Sequence, residues 1–329
     1  MSAEKKGVVV VGSLNMDLVA YTARIPVEGE TVIGSNFQTH PGGKGANQAV
    51  AVARLGYPVS LIGRLGDDAF GAQLREHLQA AGVDVLAVAT SPCTSGVAVI
   101  VVADTGENCI VMTPGANALL TPADLDVNIK VLRGAGIVLT QLEIPLATVE
   151  HLAMICAREK IPLILDPAPA HKLPAGLLSK VAWFTPNETE ADFYIGTKGS
   201  KSHDPAAMAK TLMRKGAHGV VLKLGTRGAY LVNEGEPGTL LSPFRVKAVD
   251  TTAAGDAFNG AFATGLLMEK GPVESVRFAT AAAAISVTRV GAQPSMPDIA
   301  EVEQLLKSVE AGTFRDGSST KQQKRAIIL

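Results

Sequence analysis

The run Gly7-Val-Val-Val-Val-Gly12 constrains the fold more than any other stretch. Four consecutive apolar residues between glycines do not alternate. A strand built from them is buried on both faces, as in a parallel sheet covered by helices. From Gly136 onward the pattern alternates strand and helix, which implies βαβ units. The strand Gly136 to Leu139 ends at Gln141-Leu-Glu143, and Leu163 to Leu165 ends at Asp166-Pro-Ala-Pro-Ala170. Val181 to Thr185 ends at Pro186-Asn-Glu-Thr-Glu190, and Val220 to Lys223 ends at Leu224-Gly-Thr-Arg-Gly228. Polar and Gly/Pro residues thus collect along one edge, where open α/β sheets bind ligands. The predicted fold is a doubly wound, mostly parallel α/β sheet flanked by helices.

A second, smaller sheet is also expected. Ser95 to Met112 reads as a hairpin with its turn at Ala103-Asp-Thr-Gly-Glu107. Leu18 to Tyr21 and Thr31 to His40 are strand-like. Joined to the core at several crossings, these strands would behave as a lid. The expected division is a core of residues 1–13, 45–93 and 116–312, a lid of 14–44 and 94–115, and a flexible polar tail of 313–329. The apolar hairpin would expose a sticky face, which favours pairing of two lids in a homodimer.

Composition excludes several classes. Thirty Lys and Arg against 31 Asp and Glu give a net charge of −1, without the basic excess that nucleic-acid binding needs. Aromatic residues are 4% of the chain, too few for stacking platforms. Cys93, Cys109 and Cys156 show neither metal-ligand spacing nor a disulfide framework, so a reducing cytoplasm is expected. No segment approaches membrane-spanning length.

Val249-Asp-Thr-Thr-Ala-Ala-Gly-Asp-Ala-Phe-Asn-Gly260 carries the chemistry. Phe244 to Val249 before it alternates like a strand; Ala257 to Met268 after it reads as a buried helix. A strand that becomes a helix through small residues leaves N–H groups facing an open spot that suits an anion. Asp256 falls in the first helical turn, where Asp is also common for structural reasons. An anion hole beside a carboxylate is what phosphoryl transfer to a hydroxyl needs.

Other segments have two readings. Asn15 and Asp17 follow the first strand, as a capped turn or as ligand groups. Pro41-Gly-Gly-Lys-Gly-Ala-Asn-Gln48 opens a helix from Ala46 to Leu55; its glycines allow close approach of a ligand, and Lys44 and Asn47 supply donors. It is not a Walker A loop. Asn187 and Glu190 fit a capping box.

These segments resemble the ribokinase family of carbohydrate kinases. The likeness is carried by Asp250-Thr-Thr-Ala-Ala-Gly-Asp256, Gly42-Gly-Lys-Gly-Ala-Asn47, Gly63-Arg-Leu-Gly-Asp-Asp-Ala-Phe-Gly71 and Gly291-Ala-Gln-Pro-Ser295, in order, across about residues 7 to 310. The resemblance implies an ATP-dependent kinase acting on the O5 hydroxyl of D-ribose. It implies Asp256 as catalytic base, with Ala254, Gly255 and Asp256 supplying the anion-hole N–H groups. Asn15, Asp17, Gly43, Lys44, Asn47 and Glu143 would hold the sugar under the lid. Leu224, Gly225, Thr226, Arg227 and Gly228 would form the nucleotide loop, and Thr280 the adenine contact. Asn187 and Glu190 would organise Mg²⁺ through water. Asp250, Thr252, Ser286, Arg289, Gly291 and Ser295 match positions for an activating K⁺, mostly through carbonyls. Lys223 departs from the small polar residue the resemblance implies there. Alternatives within the same family are a deoxyribose or nucleoside kinase; a catalytically silent sugar sensor is a further one.

Overall fold

The computed structural model of the chain describes residues 6–197 and 204–310. The polar tail expected at 313–329 lies outside the described residues. The chain opens with β1 (Val8–Val11), β2 (Asn15–Thr22), β3 (Asn36–Gly42) and α1 (Lys44–Arg54). Then come β4 (Val59–Gly66), α2 (Ala69–Ala80), β5 (Val88–Ser91), β6 (Gly96–Ala103) and β7 (Asn108–Thr113). Helices α3 (Pro122–Val127) and α4 (Ile129–Gly134) lead to β8 (Ile137–Thr140), α5 (Leu146–Glu159), β9 (Leu163–Leu165) and β10 (Trp183–Phe184). After α6 (Glu188–Ile195) and α7 (Pro205–Arg214) come β11 (Gly219–Lys223), β12 (Ala229–Asn233) and β13 (Thr239–Leu241). Helices α8 (Ala254–Leu267), α9 (Gly271–Ser286) and α10 (Ile299–Glu310) close the chain.

The main sheet has nine strands in the order β13-β12-β11-β10-β9-β8-β1-β4-β5. It is parallel from β5 to β11; β12 and β13 add antiparallel at one edge. Strand β1 shows why the apolar run does not alternate. Val8 and Val10 belong to the core beneath α1, α8 and α9, while Val9 and Val11 belong to the core under α5 and α7. From β1 the chain goes to β4 on one side and returns to β8 on the other, so the order reverses at the carboxyl end of β1. Such a reversal opens a crevice at that end of the sheet.

The second sheet, β3-β2-β6-β7, stands apart from the first. Strand β3 is shorter than expected: Thr31 to Ser35 is irregular and the ladder starts at Asn36. Phe244 to Val249 also differs. Its burial alternates, with Phe244 in the core and Arg245 and Lys247 exposed, but no ladder pairs it. It is an extended segment fastened by Val249 N–H to the Val287 carbonyl (2.7 Å). Alternation reports which side chains face inward; it does not supply a neighbouring strand. The Gly63–Gly71 motif begins inside β4, and its Asp68 caps α2 by accepting from Gly71 N–H (2.7 Å).

Candidate active site

Asp256 lies in the first turn of α8, 4% exposed, on the floor of the crevice. Helix α1 lies against α8 there. A side chain on Gly260 would meet Ala51 Cβ at 2.6 Å, so a glycine is what permits this approach. The contact aims two amides of α1 at the carboxylate. Asn47 Nδ2 donates to Oδ2 and Gln48 Nε2 to Oδ1, both at 3.0 Å. Gln48 Nε2 also reaches Asp166 Oδ2 (3.0 Å), and Gln141 Nε2 holds Gln48 from behind (2.7 Å). Gln293 Nε2 buttresses Asn47 (3.1 Å). Burial pushes the Asp256 carboxyl up to about 6, against the pull of Lys44 and the two amides. A carboxyl poised there is suited to accept a proton near neutral pH.

One wall is built by β2 and the start of α1. Gly43 has φ 88, and a Cβ on it would sit 2.7 Å from Asn15 N, so α1 can begin against β2 only with glycine here. Asn15 is buried and fixed through its Oδ1 by Asn117 Nδ2 (2.8 Å). Asp17 is half-buried, and its carboxylate has no hydrogen-bond partner among the described residues. Burial first, then the charges of Glu143 and Asp256, raise it to about 7. Ser13 Oγ (2.6 Å) and Lys44 N–H (3.2 Å) donate to Glu143 Oε2. Burial alone would lower the Lys44 ammonium, but Asp256, Asp166, Glu143 and Glu190 together hold it above its ordinary value.

The opposite wall is the α8 N-terminus. Ala253 is left-handed at φ 58, an uncommon state for a residue with a Cβ. This turn commits two of the three expected anion-hole donors. Ala254 N–H leans on the Thr251 carbonyl (3.3 Å) and Asp256 N–H on that of Ala253 (3.0 Å). Gly255 N–H alone has no acceptor among the described residues. The chain bends so tightly before the helix that its first donors are used by the turn itself. Asn187 and Glu190 form a full capping box at α6 and still line the crevice. Burial raises Glu190, with Lys223 opposing and Asp166 adding to the rise.

Together these walls border an open cleft of about 480 Å³, lined by Asn15, Asp17, Gly43, Lys44, Asn47, Glu143, Asn187, Glu190, Gly225, Thr252, Ala254, Gly255 and Asp256 among others. Ala98, Ile100, Ile110 and Met112 of the small sheet also line it. A narrower, mostly apolar slot adjoins it, lined by Lys223, Gly225, Gly228, Ala254, Gly255, Phe258, Thr280 and Ala283. The large polar cleft suits a hydroxylated molecule, and the slot suits a flat apolar ring.

Residues 5–299 match the pfkB family carbohydrate kinase family. The chain belongs to the pfkB family of carbohydrate kinases. As a member it is a phosphotransferase with an alcohol group as acceptor. It is similar to the ribokinase of Haemophilus influenzae, at 40% identity over 92% of this chain and 99% of that one. It is also similar to a deoxyribokinase of Salmonella typhi, at 37% identity over 91% of this chain and 98% of that one. The structure of Arabidopsis thaliana ribokinase complexed with ribose and ATP superposes with a TM-score of 0.85, at 37% identity over 92% of this chain and 99% of that one.

Not every expected site residue of this kinase reaches the cleft. Leu224 is buried in the core beneath α7, so only its backbone shapes the loop. Arg227 pairs with Glu188 at the surface (2.5 Å), and Thr226 is beside it in the same turn. Asp250, Ser286, Arg289, Gly291 and Ser295 are not among the residues that line the cleft. Asp250 Oδ1 accepts from Thr252 N–H (2.9 Å) and Oδ2 from Gly291 N–H (2.8 Å), which ties the two loops together. Arg289 pairs with Glu301, and Ser295 Oγ donates to the Ala292 carbonyl. Sequence reasoning missed Asp166, Gln48, Gln141 and Gln293. For Gln48 the signal was a polar residue on a buried helix, which demands a partner; Gln141 and Asp166 lie just past strand ends and Gln293 in a short turn, where no periodicity marks them.

Proposed function

We propose that the protein transfers the γ-phosphoryl group of ATP to the O5 hydroxyl of D-ribose, yielding ribose 5-phosphate and ADP. The observation that carries this reading is the raised, fully buried Asp256 carboxylate beside the unpaired Gly255 N–H, at the junction of a polar cleft and an apolar slot. Asn15, Asp17, Lys44, Asn47 and Glu143 bind the sugar hydroxyls. The adenine lies in the slot beside Thr280, with Gly225 and Gly228 beneath it. Asp256 takes the O5 proton as the O5–phosphorus bond forms and the bond from phosphorus to the ADP oxygen breaks. The Gly255 N–H and the α8 N-terminus hold the developing charge, with Ala254 and Asp256 N–H groups joining if their turn opens.

Mg²⁺ and K⁺ belong to the same reading. Among the described residues no three His, Cys, Asp or Glu side chains are grouped to hold a metal directly. The oxygen donors Asn187 and Glu190 on the cleft wall therefore suit Mg²⁺ arriving with the phosphates and held through water. Asp250, with carbonyls of Thr252, Ser286, Arg289, Gly291 and Ser295 near the negative carboxyl end of α9, would supply oxygen ligands of the kind that suits K⁺. The ions supply charge neutralisation of the phosphates and stiffening of the loop before Asp256. Two lids pair as a homodimer through their apolar strands, and a reducing cytoplasm suits the three free thiols.

The test is a panel of D-ribose, 2-deoxy-D-ribose and nucleosides with ATP and Mg²⁺, read as ADP release. Ribose should be phosphorylated best, with the product resonance of a primary phosphate ester in ³¹P NMR. A higher kcat/KM for deoxyribose would favour the activity of the Salmonella relative instead. Replacing K⁺ by choline at constant ionic strength should lower the rate; equal rates would remove the K⁺ site.

A further inference from the structure

Lys223 stands where the resemblance implies a small polar residue, and it lines the cleft. It ends β11, fixed there by its own N–H to the Pro186 carbonyl (2.9 Å). Its ammonium donates to Asp166 Oδ1 at 2.8 Å, with the lysine side chain 13% and the aspartate 2% exposed. It lines both the polar cleft and the apolar slot. Its Nζ lies 3.5 Å from where a Cβ on Gly255 would sit, against the same helix N-terminus that carries the unpaired N–H.

The charges at the site need such a group. Asp17, Glu143, Asp166, Glu190 and Asp256 all line the cleft, and a triphosphate must be held among them. The cationic side chains of the cleft wall are Lys44 and Lys223, and Lys223 is the one that also reaches the slot. Lys44 opens α1 beside Glu143, on the sugar wall. An ammonium has three N–H donors, so Lys223 can keep Asp166 and still bond a phosphate oxygen.

We propose that Lys223 is a catalytic residue that bonds the γ-phosphoryl group of ATP beside the Gly255 N–H, with Asp166 as the positioning residue that holds it there. The inference rests on the reading of this cleft as an ATP-dependent kinase site. Lys223 transfers no proton; it neutralises charge on the phosphoryl oxygens while Asp256 takes the hydroxyl proton. A lysine serving only the fold would treat ATP and ADP alike. A lysine on the γ-phosphoryl group distinguishes them.

The experiment is titration calorimetry of the full chain with Mg²⁺ and either ADP or the imido analogue of ATP, together with steady-state kinetics. The variants are Lys223→Met, Lys223→Gln and Lys223→Arg. Met and Gln should each weaken the ATP analogue about 10- to 100-fold, the worth of one charge-assisted hydrogen bond, and ADP by less than about 3-fold. The kcat should fall by a similar factor while the KM for D-ribose stays within about 3-fold, and Arg should restore most of both. Gln keeps a donor for Asp166, so it tests the charge even if Met fails to fold. Equal losses for the analogue and ADP, or no loss for either, overturn the proposal. If the wild type turns over no sugar, the kinase reading fails on its own, because the difference in nucleotide binding is measured without turnover.

Discussion

Strands β1 and β7 are made of similar residues and end in opposite surroundings. Val8 to Val11 are all 4% exposed or less, on an interior strand of the nine-stranded sheet with helices on both faces. Cys109 to Met112 are all exposed, with Ile110 at 57% and Val111 at 66%, on the edge of a four-stranded sheet. Side-chain chemistry does not separate them; the number of covering layers does. The consequence is a division of labour. The floor around Asp256 is packed and hydrogen-bonded before any ligand arrives, as preorganised catalysis requires. The small sheet leaves apolar surface exposed, which is what the proposed pairing of two such sheets would cover.

The largest expected effect comes from breaking the floor. Asp256→Asn should lower kcat by about 10² to 10⁴ while nucleotide binding persists. The same change should stabilise the fold at high pH. Burial raises Asp256 from 3.8 to about 6, so its contribution to stability is fully present below about pH 4 and is lost as pH rises through about 6. The asparagine avoids that loss, so the variant should gain up to about 3 kcal/mol at pH 8 relative to wild type, and little at pH 4. Thermal melts at the two pH values check the sign. A variant within a few-fold of wild-type turnover would remove Asp256 as the base.

The next effect lies where floor and lid meet. Asp17→Ala should weaken sugar binding about 10- to 100-fold, since each charged hydrogen bond is worth roughly 1.5–3 kcal/mol. ATP binding should hardly change. Because burial and its carboxylate neighbours raise Asp17 to about 7, wild-type sugar affinity should fall as pH drops through that value, and the Ala variant should lose that dependence. Calorimetry at pH 6 and pH 8 reads both; unchanged affinity in the variant would move the sugar site.

Breaking the lid should affect assembly more than chemistry. Val111 pairs with Val99 across β6 and β7, and by strand alternation it points away from Ile110 and Met112, which face the cleft. Val111→Lys should shift a dimer to monomers by sedimentation and change kcat by only about 3-fold. A wild type that sediments as a monomer would end the pairing of lids. The smallest effect is Ala253→Gly. Relief of the left-handed alanine, less the added freedom of glycine when unfolded, should raise stability by about 0.5–1 kcal/mol. An unchanged or lower melting temperature would show that the turn holds no strain.

Much of this was readable in the chain. The run Val8–Val11 fixed a sheet buried on both faces because its four valines cannot divide into an inner and an outer set. The segment Asp250–Gly260 placed a carboxylate beside a helix start because only small residues lie between the extended segment and the helix. The capping box at Asn187 and Glu190 was local, and so was visible. What stayed hidden was long-range. Asp166, Gln48 and Asp256 are linked through hydrogen bonds spanning 118 and 208 positions, and no local pattern reports a partner at that separation. Tertiary structure alone decided that Phe244–Val249 runs beside α9 rather than in a sheet. It also decided that the first turn of α8 uses two of its own donors and leaves Gly255 N–H without an acceptor among the described residues, and that Lys223 stands against that same turn. Each of these depends on which distant backbone happens to lie alongside, and residue type does not encode that by itself.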